Sequence, residues 1–310
     1  MWWRVIGGAT PLQSARPSYG GVFHVNLAPM LSYRHAFHAG NHADVLKHAV
    51  LIALLDYLNQ KDKPWWYIDT HAGAGIYDLH GDYARKTGEF DSGIGRLWER
   101  ADLPPLLANY VELVRGLNPD GRLRLYPGSP WCALQRARRD DRLRLFELHS
   151  SDQRLLSSTF SESGRQVRIE ATDGHAGLKS VLPPPTRRAL ALIDPSYEVK
   201  SDYPRTVEAL KDGLARFAGG TYMVWYPLLQ KPDARQLPSR LKAARPPGWL
   251  NVTLSVQGPS KEGFGMHGSG LYIANPPWTL PALLEATLPW LVKALGQDDG
   301  ATYTLEHEIP

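Results

Sequence analysis

The 310-residue chain has a single cysteine, Cys132. An internal disulfide is therefore excluded, and a thiolate zinc site or an iron–sulfur cluster lacks ligands, so a reducing compartment, the cytoplasm, is expected. No apolar run approaches the roughly 20 residues that a membrane-spanning helix needs. No glycine turn runs into Gly-Lys-Ser/Thr, which excludes a P-loop. Charge of one sign is also scarce: 35 Lys and Arg against 31 Asp and Glu leave +4, far from a histone-like polycation. No internal period points to repeats.

What is present suffices for a packed core. Apolar residues make up 43% of the chain and aromatics 10%, which excludes disorder as a description of the whole. Residues 1–29 carry only Arg4 and Arg16 as charges and show no periodic pattern. They are expected to be a disordered or untranslated extension, with translation starting at Met30 and the body running over residues 30–310. Between Arg96 and Arg144 ten arginines face six acids, a local excess of +4 that suits either a phosphate backbone or a solvated helix face.

Asn41 or Asp44 can cap a helix running to about Gln60. Trp65 to Ile68 is an aromatic and β-branched run ending at Asp69 and followed by the turn His71-Ala72-Gly73-Ala74-Gly75, the pattern of a buried strand feeding a loop. Similar runs recur at 143–147, 167–171, 189–193, 221–225, 250–256 and 271–274, with helical patterns between most of them. This alternation predicts a doubly wound α/β sheet with helices on both faces. Nearly seventy residues separate the glycine turn from the next run, so a small helical insertion is expected at about 78–124, forming a wall of the substrate cleft.

In an open α/β sheet the ligand lies beyond the carboxyl ends of the strands. Asp69, Glu147, Asp173 and Asp194 stand at or just after such ends. Gly73 lets the backbone approach a cofactor, Glu147 is placed to accept from ribose hydroxyls, and Asp173 from an adenine amino group. A dinucleotide fingerprint would need a third glycine where Asp78 stands, an anion where pyrophosphate would sit. The loop suits a nucleoside cofactor without phosphate.

The strongest local signal is Leu190-Ala191-Leu192-Ile193-Asp194-Pro195-Ser196-Tyr197, which resembles the Asp-Pro-Pro-Tyr motif of methyltransferases acting on exocyclic amines. Asp194 and the Pro195 carbonyl would accept from the amine and localise its lone pair, and Tyr197 would stack on the base. Serine at 196 replaces the usual second proline, restoring an N–H and relaxing the geometry of Pro195. Asn275-Pro276-Pro277-Trp278 matches such a motif in letters, but it follows the last apolar run and is expected to be a rigid turn. His35, His38, His42 and His48 lack regular ligand spacing, and no metal is expected.

Taken together, Ser32-Tyr33-Arg34-His35, Asn41 to His48, Asp69 to Gly75, Tyr126 to Pro130 and Ile193 to Tyr197 resemble the RlmJ family, bacterial enzymes that methylate N6 of an adenine in 23S ribosomal RNA with S-adenosyl-L-methionine. The resemblance runs from Met30 to the C-terminus. It implies a Rossmann-like class I methyltransferase sheet with a helical insertion, and cofactor contacts at His48, His71, Ser129, Glu147, Asp173, Gly174 and Asp194. It further implies Asp194 as proton acceptor and Tyr33, with Lys47 beside His48, as contacts to the RNA. A monomer without an obligatory protein partner is expected. A DNA adenine methyltransferase and a non-catalytic nucleic-acid-binding protein of the same fold are the alternatives.

Overall fold

The computed structural model describes residues 35–309; Tyr33 and the segment 1–29 lie outside them. A short 3-10 turn at His35–Phe37 leads into α1 (His42–Asn59), and β1 (Trp66–Asp69) follows. Next come β2 (Ile76–Asp78), α2 (Asp82–Thr87), α3 (Gly95–Trp98), α4 (Pro105–Gly116) and β3 (Leu125–Pro127). The remaining elements are α5 (Ser129–Arg136), β4 (Arg142–Phe146), α6 (Ser150–Thr159), β5 (Val167–Glu170), α7 (Gly174–Val181), β6 (Ala189–Ile193), α8 (Asp202–Arg216), β7 (Thr221–Leu228), α9 (Pro232–Lys242), β8 (Trp249–Ser255), β9 (Gly268–Ala274), α10 (Leu280–Leu295) and β10 (Thr302–Glu308).

Eight strands form one sheet in the order β10-β8-β9-β7-β6-β1-β4-β5, and β2 pairs with β3 in a separate two-stranded sheet. From β5 through β7 the pairing is parallel, while β9 runs antiparallel between β7 and β8. Counted along the main sheet alone, the order is 3-2-1-4-5-7-6 plus one added edge strand. This is the doubly wound, Rossmann-like order that the alternation of runs predicts. Strand order reverses between β1 and β6, so a ligand crevice opens above their carboxyl ends.

Period-two alternation sorts the sheet residues into two cores. On one face Tyr67, Leu143, Leu145, Leu190, Leu192 and Met223 join residues of α1, α4, α5 and α10. On the other, Ile68, Ala189, Ala191, Ile193 and Val224 join α7, α8 and α9. Helix α1 is buried on nearly every side, which explains its almost unbroken apolar composition. Asn41 caps it, its side chain accepting from Ala43 N and Asp44 N at 3.0 and 3.1 Å. The helices between β2 and β3 pack into the α1 core through Leu97, Leu106, Leu107 and Tyr110.

The arginine-rich stretch sits away from the crevice. Arg142 opens β4 opposite Trp66, at the amino ends of the parallel strands. Arg138 donates to the Lys61 and Lys63 carbonyls at 3.0 and 2.8 Å and pairs with Asp141. Arg144 lies 4.0 Å from the Trp66 ring centre, and Arg136 pairs with Asp56. Arg96, in the insertion, donates to the carbonyls of Ala294 and Gly296. At these positions the arginine excess is structural: Arg96, Arg136 and Arg138 bridge backbone carbonyls and carboxylates, and Arg144 lies over an indole ring.

Asn275-Pro276-Pro277-Trp278 follows β9, and β9 runs against the parallel strands. Its end therefore lies at the opposite edge from Asp194. β9 is also not the last strand, because the polar β10 follows it. The Asn275 side chain donates to the Ala218 and Gly220 carbonyls at 2.7 Å each, fixing a turn at positive φ.

Candidate active site

At the end of β1, buried Asp69 organises the glycine turn. One oxygen accepts from Tyr67 Oη at 2.7 Å and Ser129 Oγ at 2.6 Å, and the other accepts from His71 N at 3.2 Å. Burial raises its pKa against these hydrogen bonds. At the end of β4, Glu147 accepts from Gly73 N at 2.8 Å and from His149 N at 2.7 Å, each on a different oxygen. Desolvation pushes this carboxyl up to about 7. A carboxylate has about four lone-pair sites, so each oxygen keeps capacity for a further donor.

At the start of α7, Asp173 caps the helix through Ala176 N at 3.0 Å and pairs with Arg205. Next to it, Gly174 lies against β1: an added Cβ would stand 1.8 Å from the Thr70 carbonyl oxygen. This contact brings the amino end of α7 over the crevice. The His71 ring meets His175 edge-on at 5.1 Å, and burial lowers both pKa values, to about 3 and about 4. Both rings are neutral at pH 7.

Asp194 follows β6 directly. Its Oδ2 accepts from Lys47 Nζ at 2.8 Å. The same ammonium lies 2.9 Å from Asp44 Oδ1, and Asp44 Oδ2 accepts from His35 Nε2 and Gly40 N. Two buried carboxylates thus share one buried ammonium, which is the condition for keeping that cation inside the protein. Burial raises the Asp194 pKa while Lys47 opposes it, and Lys47 is held charged by the two acids. Asp194 Oδ1 and the Pro195 carbonyl take no hydrogen bond from the described residues, and the Asp194 side chain keeps 13% exposure.

Several expected site residues converge here. Gly73, Ser129, Glu147 and His71 are linked through Asp69 and the glycine turn, Asp173 and Gly174 close one side, and Asp194 and Pro195 close the other. Three expectations need correction. Lys47 is not an open RNA contact, since its side chain is 6% exposed and held between carboxylates. Tyr197 offers no open stacking face: it is 4% exposed, its hydroxyl donates to the Trp225 carbonyl at 2.8 Å, and its ring packs on Tyr203 and Trp225. His48 is a core residue, 1% exposed, with Nδ1 on the Tyr126 hydroxyl at 2.9 Å.

The structure adds residues that sequence reasoning missed. Trp225 stands level with Asp194, since Val224 pairs with Ile193, and Lys47 Nζ lies 5.9 Å from its ring centre. Its indole N–H is buried without a partner among the described residues. In the sequence Asp44 offers only a helix cap. The one available sequence signal was its three-residue spacing from Lys47, which puts both on one helix face. Tyr197 also adopts φ +55°, a strained value for a bulky side chain that marks the loop after β6 as built for function. Among the described residues no group of three or more His, Cys, Asp or Glu is arranged to hold a metal ion, and no helix is long and apolar enough to cross a membrane.

The acceptors fit a nucleoside cofactor free of phosphate. Carboxylates at 69, 147 and 173 would repel a phosphate but accept hydroxyl and amino protons.

A family profile described as "Ribosomal RNA large subunit methyltransferase D, RlmJ" matches residues 62–307. The chain is 44% identical to the ribosomal RNA large subunit methyltransferase J of Haemophilus influenzae over 282 residues, 91% of this chain and all of that one. It is 47% identical to the protein of the same description from Escherichia coli over 262 residues, 84% and 93% of the two chains. A crystal structure of a Legionella pneumophila protein is similar at 37% identity and a TM-score of 0.80, covering 87% of this chain and 98% of that one.

Proposed function

The chain belongs to the RlmJ family of ribosomal RNA large subunit methyltransferases, and on that basis we propose that it methylates the N6 amino group of an adenine in 23S ribosomal RNA. The cofactor is S-adenosylmethionine, which supplies an electrophilic methyl on its sulfonium. The observation that carries the reading is the end of β6, where Lys47 occupies one oxygen of Asp194 and leaves the other without a donor among the described residues, with Pro195 next in the chain.

An adenine N6 amine is a poor nucleophile because its lone pair is delocalised into the ring. Its two N–H groups donate to Asp194 Oδ1 and the Pro195 carbonyl, which draws the lone pair onto nitrogen. Lys47 keeps the carboxylate from rotating away. Transfer leaves nitrogen with a proton in excess, and Asp194 Oδ1 accepts it. Tyr197 supports this corner by holding Trp225 through its carbonyl, and the Trp225 ring lines the wall beside the amine. Glu147 and Asp173 accept from the ribose and adenine of the cofactor, with Gly73, His71, Ser129 and Gly174 shaping its bed.

A base inside a helix cannot reach such a recess, so the target adenine is unpaired or turned out of its stack. The enzyme acts as a monomer in the cytoplasm, and light scattering of the purified protein checks its mass.

The deciding experiment is transfer of labelled methyl to protein-free 23S RNA and, in parallel, to DNA, followed by nucleoside analysis. N6-methyladenosine from RNA alone is expected. Label in DNA alone would move the substrate, and cofactor binding without transfer to either would mark a binding protein.

A further inference from the structure

We propose that the loop joining β8 to β9, residues 256–267, is an arm that grips the RNA, with Phe264 stacking on an unpaired nucleobase beside the target adenine. The proposal rests on the reading of the site as an RNA methyltransferase. It adds a contact surface outside the catalytic corner.

The loop is on the catalytic side of the sheet. β8 and β7 both run antiparallel to β9, so β8 ends at the same edge as β6 and Asp194. Its base is closed: Val256 N donates to His267 O at 2.9 Å, and His267 N donates to Leu228 O at 3.2 Å. The Gln230 side-chain amide also donates to the Ser260 carbonyl. Leu228 lies three residues beyond Trp225, which is level with Asp194, and β9 is two strands across from β6, so the arm starts about 10 Å along and about 10 Å across, roughly 14 Å from the catalytic carboxylate at strand spacings. A few nucleotides of an RNA strand span that distance.

The tip is shaped to present an aromatic ring. Phe264 is 80% exposed, more than any other large apolar side chain among the described residues. Gly263 and Gly265 flank it at φ +78° and +88°, and an added Cβ at either would meet nothing within 4 Å. These glycines therefore serve the backbone path, which lifts Phe264 off the protein surface. Among the described residues this ring joins neither apolar core cluster.

The surroundings suit a phosphate backbone. Lys261 stands on the arm next to Glu262, and exposed Lys231 and Arg235 lie at the start of α9, directly after β7. Burial lowers the His267 pKa and the nearby Arg235 charge lowers it further. Sequence-tolerant RNA binding combines such cations with aromatic platforms for unstacked bases.

The test uses the full-length enzyme with a 23S RNA transcript, comparing wild type with F264A, F264W and K261A. At about 1–3 kcal/mol per stacked base, F264A is expected to raise KM for RNA by roughly 5- to 150-fold. Its kcat and its affinity for S-adenosylmethionine should match wild type, and F264W should restore KM. K261A should lower the slope of log affinity against log salt by about one. A wild-type KM in F264A, or equal losses of RNA and cofactor affinity, would overturn the arm. Filter binding of the same RNA reads the arm without turnover, so a failure of the methylation reading itself, no transfer by wild type, is seen separately.

Discussion

Glu147 titrates near neutrality in the cofactor-free protein, and cofactor affinity should follow it. The carboxyl lies between the glycine turn and the loop after β4, where desolvation pushes it up to about 7 from an ordinary 4.5, with Asp152 and Asp69 adding repulsion. Because the folded pKa is raised, the unfolded chain loses this proton first. The associated stability is present below about pH 4.5 and is lost as pH rises to about 7. At about 1.36 kcal/mol per unit, the 2.5-unit difference corresponds to about 3 kcal/mol across that window.

Ribose hydroxyls need the ionised form as acceptor, and a binding-competent fraction f scales the apparent Kd as 1/f. With a pKa of about 7, f is about 0.1 at pH 6 and about 0.9 at pH 8, so affinity for S-adenosylmethionine should rise about ninefold between them. Calorimetric titration at pH 6, 7 and 8 measures this, with E147Q as control. Glutamine can accept from only one of Gly73 N and His149 N through its oxygen, so E147Q should bind more weakly at every pH. The slope carries the test: the amino group of the cofactor titrates in both proteins, whereas the Glu147 contribution is present only in wild type. A wild-type profile no steeper than that of E147Q would refute the assignment.

D194N should reduce kcat by about 10²- to 10⁴-fold while cofactor affinity is largely kept, as measured by single-turnover methylation and titration; retained turnover would remove Asp194 from the reaction. K47M leaves Asp194 buried without its cation and Asp44 with only its contacts to His35 and Gly40 N, and should lower unfolding free energy by about 3–5 kcal/mol in urea melts. An unchanged midpoint would show that the three groups do not share charge as described. G174A places a methyl 1.8 Å from the Thr70 carbonyl and should abolish cofactor binding or folding. G116A, where an added Cβ meets nothing within 4 Å, should be neutral or stabilising by up to about 1 kcal/mol in the same urea melts.

The strand at 189–193 was legible because a parallel strand buried on both faces reads as a continuous apolar run, those at 143–147 and 167–171 because apolar residues alternate with arginine at period two, and the break after the glycine turn by length alone. β2, β3 and β10 were not. The first two have three residues each, and β10, Thr302–Glu308, is a mostly exposed edge strand whose polar residues carry no core signal. Arginine density between 96 and 144 was visible in sequence, but its meaning was not, because carbonyl bridging by Arg138 depends on where α1 ends relative to β4.

The sequence by itself determined the order of strands and helices, the strand-end acids at 69, 147 and 194, and the motif around Asp194, because each is written in a run of neighbouring residues. Only the tertiary structure decided what those acids do. Lys47 and Asp194 are 147 residues apart and meet only because α1 packs beside the switch point between β1 and β6. Tyr197 and Lys47 changed roles for the same reason. A motif names the side chains, but burial and a distant partner decide whether a ring stacks on a base or anchors a strand, and whether an ammonium meets RNA or holds a carboxylate in place.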